Sequence, residues 1–403
     1  MKPRSVASAI PPVAGPWRTC NRFRLFTQGN RFFPAMLEAI AGARERVALE
    51  IYWIETGMIA GRFIDALIEA TGRGVETFVL IDDFGSSELA VRDRRRLTAA
   101  GVHLARYNPL RFRLGWGNLA RDHRKILLID DRYAFVGGAG ISDEFDRADG
   151  WRENMLRIEG ECVADWWALF AGNWQCWSDY ACTPPRSRRA GNMPGRVVAG
   201  PGRLGRRPIE RAAVRDITRA RRRVWLATPY FLPPIRLRQA LVRARRGGAD
   251  VRLLIPAAQS CDLPAVQAAG QRWYEWFLQR GVRIFEYRER VTHQKVLLAD
   301  ERVLIGSANF DRWGLRWHLE ANQAVHSRVV AEHTAGMLKD DFAVACELQL
   351  ADWRQRSFLA RLRERFWGRL EALGARIAYR QRVVQVAREQ AAGRRRECVE
   401  GDH

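Results

Sequence analysis

The sequence predicts an α/β protein of two similar domains, each a mixed β-sheet flanked by helices, and three observations carry that expectation. One stretch occurs twice, as Asp122-His123-Arg124-Lys125-Ile126-Leu127-Leu128-Ile129-Asp130 and as Thr292-His293-Gln294-Lys295-Val296-Leu297-Leu298-Ala299-Asp300. Strand–helix–strand patterning precedes each copy, the signature of sheets with helical crossovers. From His123 to His293 is 170 residues, the span of a domain rather than of a solenoid repeat.

Residues 1–20 are Pro-rich and are expected to be flexible. The first domain, 21–180, opens with a strand and a turn at Gln28-Gly29-Asn30. A helix follows over 33–43, with Met36, Leu37 and Ile40 on one stripe. Residues 47–53 read as a buried strand, 61–71 as an amphipathic helix ended by Gly72, and 75–81 as a further strand. Segment 108–118 mixes Pro109, Leu110, Phe112, Leu114 and Trp116 with Arg111 and Arg113, and fits a lipid-facing lid or a core loop equally well. Trp166, Trp167, Trp174 and Trp177 are expected to pack the end of this domain. Pro and Gly mark 181–208 as a linker. The second domain, 209–345, repeats the plan: a helix to about 220, a strand at 224–227, Pro229-Tyr230-Phe231, a helix ending at Gly247-Gly248, and strands at 251–255 and 282–287. In the tail, 346–403, Leu359, Leu362, Phe366, Leu370, Leu373 and Ile377 recur at helical spacing among arginines. A basic amphipathic helix of this kind either lies on an anionic membrane or docks its stripe on the second domain.

The motif has a chemistry. Side chains two apart on a strand share a face, so each His stands beside its Lys. The Lys neutralises phosphoryl oxygens; the His attacks phosphorus or moves a proton. Two copies supply both roles at once. The chain has 67 Lys+Arg but only four lysines, and two of them sit in the motifs, which weighs against a pair of ordinary core histidines.

A formal net charge of +22 implies an anionic partner, nucleic acid or anionic lipid, although an arginine-rich composition accounts for part of it. The seven cysteines are scattered without zinc spacing, so no metal is expected and reduced thiols are. No run of 18 apolar residues and no apolar leader is present, which leads us to expect peripheral attachment at the cytoplasmic face of the cell membrane.

The two His-x-Lys-x4-Asp motifs, with Gly137-Gly138 and Gly306-Ser307-Ala308-Asn309 behind them, resemble the phospholipase D superfamily. Thr228-Pro229-Tyr230-Phe231-Leu232-Pro233 and Ser260-x-Asp262 make the chain most similar to bacterial cardiolipin synthases, from about residue 21 to 370. The resemblance implies two phospholipase D-like domains under a pseudo-twofold axis with the active site at their interface. It implies catalytic roles for His123, Lys125, Asp130, His293, Lys295 and Asp300, the aspartates holding the turn behind the motif rather than touching substrate. His123 is the expected nucleophile and His293 the acid/base. Glu153 would orient its motif histidine, with Glu320 as its counterpart in the second half, and Ser307 and Asn309 would bind phosphate. Gly140 stands where the family usually has Asn, and His318 and Trp313 also depart from its pattern. The implied reaction moves a phosphatidyl group to phosphatidylglycerol through a phosphohistidine, with no cofactor or metal. Phosphatidylglycerol and phosphatidylethanolamine are the candidate substrates. Hydrolysis by water, a phosphodiesterase acting on nucleic acid, and a lipid-binding protein with a decayed site are the competing readings; the aromatic-basic segment argues against nucleic acid and the intact motifs against decay.

Overall fold

The structure, a computed structural model, describes residues 14–110, 118, 120–147, 149–200, 207–312, 314–370 and 373. Of the expected flexible stretch 1–20, residues 1–13 lie outside these, as do the centre of the expected lid (111–117), Trp313 and Ile377, whereas Arg18–Cys20 form the start of a strand.

In the first half, β1 (Arg18–Phe26), α1 (Gly29–Ala41), β2 (Arg46–Ile51), α2 (Met58–Gly72), β3 (Glu76–Asp82), α3 (Val91–Ala99) and β4 (His103–Tyr107) precede the motif strand β5 (Lys125–Ile129). Then come β6 (Tyr133–Gly137), β7 (Met155–Gly160) and α4 (Glu161–Trp174). The second half repeats this as β8 (Met193–Gly200), α5 (Pro208–Arg219), β9 (Arg223–Ala227), α6 (Ile235–Arg246), β10 (Asp250–Pro256), α7 (Pro264–Gln271), α8 (Tyr274–Leu278) and β11 (Arg283–Tyr287). The motif strand β12 (Val296–Ala299), β13 (Arg302–Gly306), β14 (Glu320–His326), α9 (Arg328–Val344) and β15 (Cys346–Glu347) complete it. A final helix, α10, covers 358–370.

The strands run in the order β15-β11-β10-β9-β12-β13-β14-β8-β1-β7-β6-β5-β2-β3-β4. Leaving β15 aside, the order reads the same outward from the β8–β1 pair in both directions, so the twofold relation of the halves is written in the sheet. Two domains were expected with a linker over 181–208. Instead β8, inside that stretch, is the central strand that fuses both halves, antiparallel to β1 and to β14. Its Pro194, Gly195 and Gly200 look like linker residues, but Val197, Val198 and Ala199 are buried. Gly195 is needed there because a Cβ would lie 2.5 Å from the Phe23 ring. The boundary at 346 moves as well, since β15 pairs with β11 and buried Trp353 packs on Tyr274, ring centroids 5.1 Å apart.

β5 and β12 are buried along their whole length, as apolar strands covered on both faces should be. Separate apolar clusters fill the outer side of each half. A third lies between the halves, where Trp166, Trp167, Phe170 and Trp174 of α4 meet Leu298, Ile305, Leu338 and Phe342. Trp167, Trp174 and Trp177 pack within the first half, against Asp130 O, Phe78 and Tyr107, while Trp166 donates its indole N–H to Gln323 across the junction (2.8 Å).

Candidate active site

Each motif begins at the edge of the sheet where the parallel strands of its half end. Ile51, the last residue of β2, pairs with Lys125, and Ala227, the last of β9, pairs with Val296. Short parallel bridges tie the two edges together. His123 N donates to Leu319 O (2.9 Å) and Leu319 N to Arg121 O (2.9 Å); Arg152 N donates to Val291 O (2.7 Å) and His293 N to Arg152 O (2.8 Å). Each motif histidine therefore lies beside the residues that lead into β14 or β7 of the other half.

That pairing settles where the carboxylates act. Nδ1 of His123 is 2.9 Å from Glu320 Oε1, and Nδ1 of His293 is 3.0 Å from Glu153 Oε2. The expectation that Glu153 serves the histidine of its own half is corrected: the pairs are crossed. A carboxylate on Nδ1 of His123 holds that ring so that Nε2 is the basic nitrogen, whereas Nδ1 of His293 has Lys295 Nζ 2.8 Å away as well as Glu153. Lys125 donates to His123 O (2.7 Å), and Lys295 donates to His293 O and lies 3.5 Å from Glu153. His123, Lys125, His293, Lys295, Glu153 and Glu320 are all buried.

Burial dominates the electrostatics. It pushes both histidines well below their ordinary value, with Lys125 and Lys295 adding to the effect. It pushes Lys125 down to about 7 and lowers Lys295. It pushes Glu153 and Glu320 up to about 7, against the pull of Lys295 and Lys125 respectively. Burial thus favours the neutral forms of these groups, and an anion placed beside the lysines would favour their charged forms.

Asp130 and Asp300 lie at the far ends of β5 and β12 from the histidines. Both adopt left-handed backbone, φ 49° and 52°. Asp130 accepts from the backbone N–H groups of Arg44, Glu45 and Arg46, and Asp300 from those of Arg221, Arg222 and Arg223. They clamp the entry to β2 and β9. Asp130→Ala is expected to cost about 2–3 kcal/mol through the orphaned donors. Thermal melting should record that loss, while activity per folded molecule changes little.

Ser307 is not available to phosphate as expected: its hydroxyl donates to Glu320 (2.5 Å) and accepts from Ala321 N–H (3.0 Å). The acidic oxygen is the stronger acceptor, so Ser307 supports the His123–Glu320 pair. Its counterpart is Gly138, where a Cβ would sit 2.2 Å from Glu153 and 2.9 Å from Lys295. Asn309 is buried with its Oδ1 unpartnered. At Gly140 a Cβ would stand 2.8 Å from Trp53 O, which explains the missing Asn there.

Several residues were not singled out as part of the site. Tyr52 packs edge-on to His123, rings 4.7 Å apart, and Trp151 lies 5.5 Å from the His293 ring. Arg124 is fully buried against Glu50, and Asn173 donates to both Glu50 and Asp122. Tyr230 donates its hydroxyl to Asp262. His318 stands 5.8 Å from the His123 ring, its pKa pushed down to about 4 by burial and by His123. Among the described residues one set could hold a metal ion, His123, His318 and Glu320, with ligand atoms within 4.8 Å of one another. Two of the three already form a histidine–carboxylate pair, so a cation there would compete with the proton that pair holds.

A family profile described as "Cardiolipin synthase, PLD-like domain" matches residues 36–174 and 213–342. The chain belongs to this family of phospholipase D-like proteins. Among its relatives, cardiolipin synthase B of Salmonella typhimurium is 34% identical over 324 residues, covering 77% of this chain and 78% of that protein. Cardiolipin synthase B of Escherichia coli (strain K12) is 33% identical over 344 residues, covering 82% and 83%. The solved phosphatidylserine synthase of Haemophilus influenzae shares the fold, with a TM-score of 0.71 at 12% identity over 89% of this chain and 95% of that one. Each matched stretch of the family profile lies within one half of the sheet and contains one motif.

Proposed function

We propose that this member of the cardiolipin synthase family is a phosphatidyltransferase that joins a phosphatidyl group to phosphatidylglycerol. The observation that supports it most is the pair of crossed, buried histidine–carboxylate units with a lysine beside each. Nε2 of His123 attacks the phosphorus of the donor lipid, and its Nδ1–H is held by the Glu320 carboxylate. The His293–Glu153 unit, carrying one proton more, gives that proton to the leaving alcohol as the P–O bond breaks. Lys125 and Lys295 neutralise the non-bridging oxygens. The hydroxyl of phosphatidylglycerol then surrenders its proton to His293 and attacks the phosphohistidine, breaking the P–N bond and regenerating the site. Because the phosphorus stays bonded throughout, no nucleotide need drive the second step.

Among the described residues no helix is long and apolar enough to cross a membrane. We place the meeting of lipid and enzyme at the membrane surface, on its cytoplasmic face.

Phosphatidylglycerol vesicles incubated with the protein should yield a four-chain lipid and glycerol, identified by mass. EDTA should leave the rate unchanged, and plasmid DNA should stay intact. Phosphatidic acid as the main product would make the protein a hydrolase. DNA cleavage that disappears in His123→Ala would make it a nuclease.

A further inference from the structure

The strand ends around the site carry more than catalytic residues. Away from α10, ten large apolar side chains are exposed among the described residues; Trp17, Tyr180, Val329 and Val344 stand elsewhere, and the other six are Met58, Phe84, Val91, Leu110, Ile235 and Leu263. All six stand on loops or helix starts that follow the carboxyl ends of β2, β3, β4, β9 or β10, the edge at which the motifs enter. Four of them form two equivalent pairs. Met58 begins α2 after β2 and Ile235 begins α6 after β9; they are 79% and 60% exposed. Phe84 follows β3 and Leu263 follows β10, 54% and 47% exposed. The halves differ in sequence, yet each sets a large apolar group in water at the same two places. Isolated exposed apolar residues need no explanation, whereas a set repeated at equivalent places in both halves does.

The tail adds a third element. α10 is held by its other face: Glu364 is buried against Arg356, and Arg272 donates to Gly368 O at the end of α7, the helix that begins just after Leu263. The stripe of Leu359, Leu362, Phe366 and Leu370 faces out, between 48% and 74% exposed. Arg361, Arg363, Arg365 and Arg369 are exposed along it. An apolar strip bordered by guanidinium groups matches the acyl–headgroup boundary of an anionic bilayer, burying the strip while the arginines reach phosphate.

We propose that the mouth of the active site is itself the membrane-docking face. Met58, Phe84, Ile235 and Leu263 enter the surface of an anionic phospholipid bilayer around the opening, and α10 lies on the same bilayer beside the second half. A lipid phosphodiester then reaches the histidines from directly below, without leaving the membrane. This rests on the phosphatidyl-transfer reading above.

The test uses the full chain and two substrates: phosphatidylglycerol in vesicles, and a short-chain phosphatidylglycerol dissolved as monomers. The variant Met58→Ser/Phe84→Ser/Ile235→Ser/Leu263→Ser should bind phosphatidylglycerol vesicles at least about tenfold more weakly. It should lose vesicle activity in proportion and keep wild-type turnover of the dissolved lipid. Leu359→Ser/Leu362→Ser/Phe366→Ser should behave likewise, and Met58→Leu/Ile235→Leu should retain binding. Vesicle binding unchanged in both serine variants overturns the docking face while leaving the chemistry standing. A wild-type protein that ignores the dissolved lipid but binds vesicles through these residues overturns the chemistry and leaves the docking face standing. If the fourfold variant does not fold, the pairs Met58→Ser/Ile235→Ser and Phe84→Ser/Leu263→Ser are read instead, and unchanged binding in both overturns the proposal. Conversion of a dimer to a monomer with vesicle binding intact assigns the patch to a second copy of the chain and also overturns it.

Discussion

His123→Ala and His293→Ala will each lower phosphatidyl transfer by roughly 10⁴-fold or more, and the double variant will be scarcely worse than either alone. Groups that act as one catalytic unit lose most of their effect when any member goes. The two single variants should still differ in what they leave behind. Without its acid, His293→Ala keeps the nucleophile and can accumulate a phosphoenzyme from a donor whose leaving group needs no proton, such as a nitrophenyl phosphodiester. His123→Ala cannot. Quenched samples analysed for acid-labile phosphohistidine would show this, and a phosphoenzyme in His123→Ala but not in His293→Ala would reverse the assigned roles.

The second large effect concerns the carboxylates. Glu320→Gln and Glu153→Gln should each cost about 10²–10⁴-fold, since the imidazoles keep their place but lose the charge that sets their proton. The pH profile gives the sign. Transfer requires the His123–Glu320 unit to have lost its extra proton, so the rate rises with pH through about 7, where burial sets Glu320. It requires the His293–Glu153 unit to have kept its extra proton, so the rate falls as pH rises through about 7, where burial sets Glu153. The wild type should show a narrow bell near neutrality whose limbs belong to the units rather than to single residues. In Glu320→Gln the proton must leave His123 itself, whose affinity burial depresses, so the acid limb moves to lower pH. In Glu153→Gln the alkaline limb moves down instead, because His293 alone holds the proton poorly. Movement of the same limb in both variants would contradict the division of labour.

The sequence made the motif histidines and lysines legible because their spacing and rarity are local properties. Many of the strands and helices before each motif were legible for the same reason, since buried apolar runs and helix stripes are periodic, although α3 and β4 were not. The crossing of Glu153 and Glu320 was not, because it arises from the bridges Asp122–Leu319 and Arg152–Thr292, which join segments far apart in the chain. β8 was hidden by its own packing needs: Gly195, which lets it pass Phe23 and Gln323, is the kind of residue that marks a linker. The tail's period identified a stripe but not its direction, which depends on where Gly368 and Glu364 find partners. Gly138 and Ser307 differ for a reason visible only in three dimensions, one making room for Lys295 and the other bracing Glu320.

The crossed pairs also bear on assembly. A half that folds ahead of its partner presents a histidine with no carboxylate and a carboxylate with no histidine, so it is chemically mute. Nascent or half-degraded chains that lack one half cannot release headgroups from the bilayer, and activity reports that both halves have closed on each other. Two fragments cut in the exposed stretch between α4 and β8 should each be inert, and mixing them should restore turnover only to the extent that β8 takes its place beside β1.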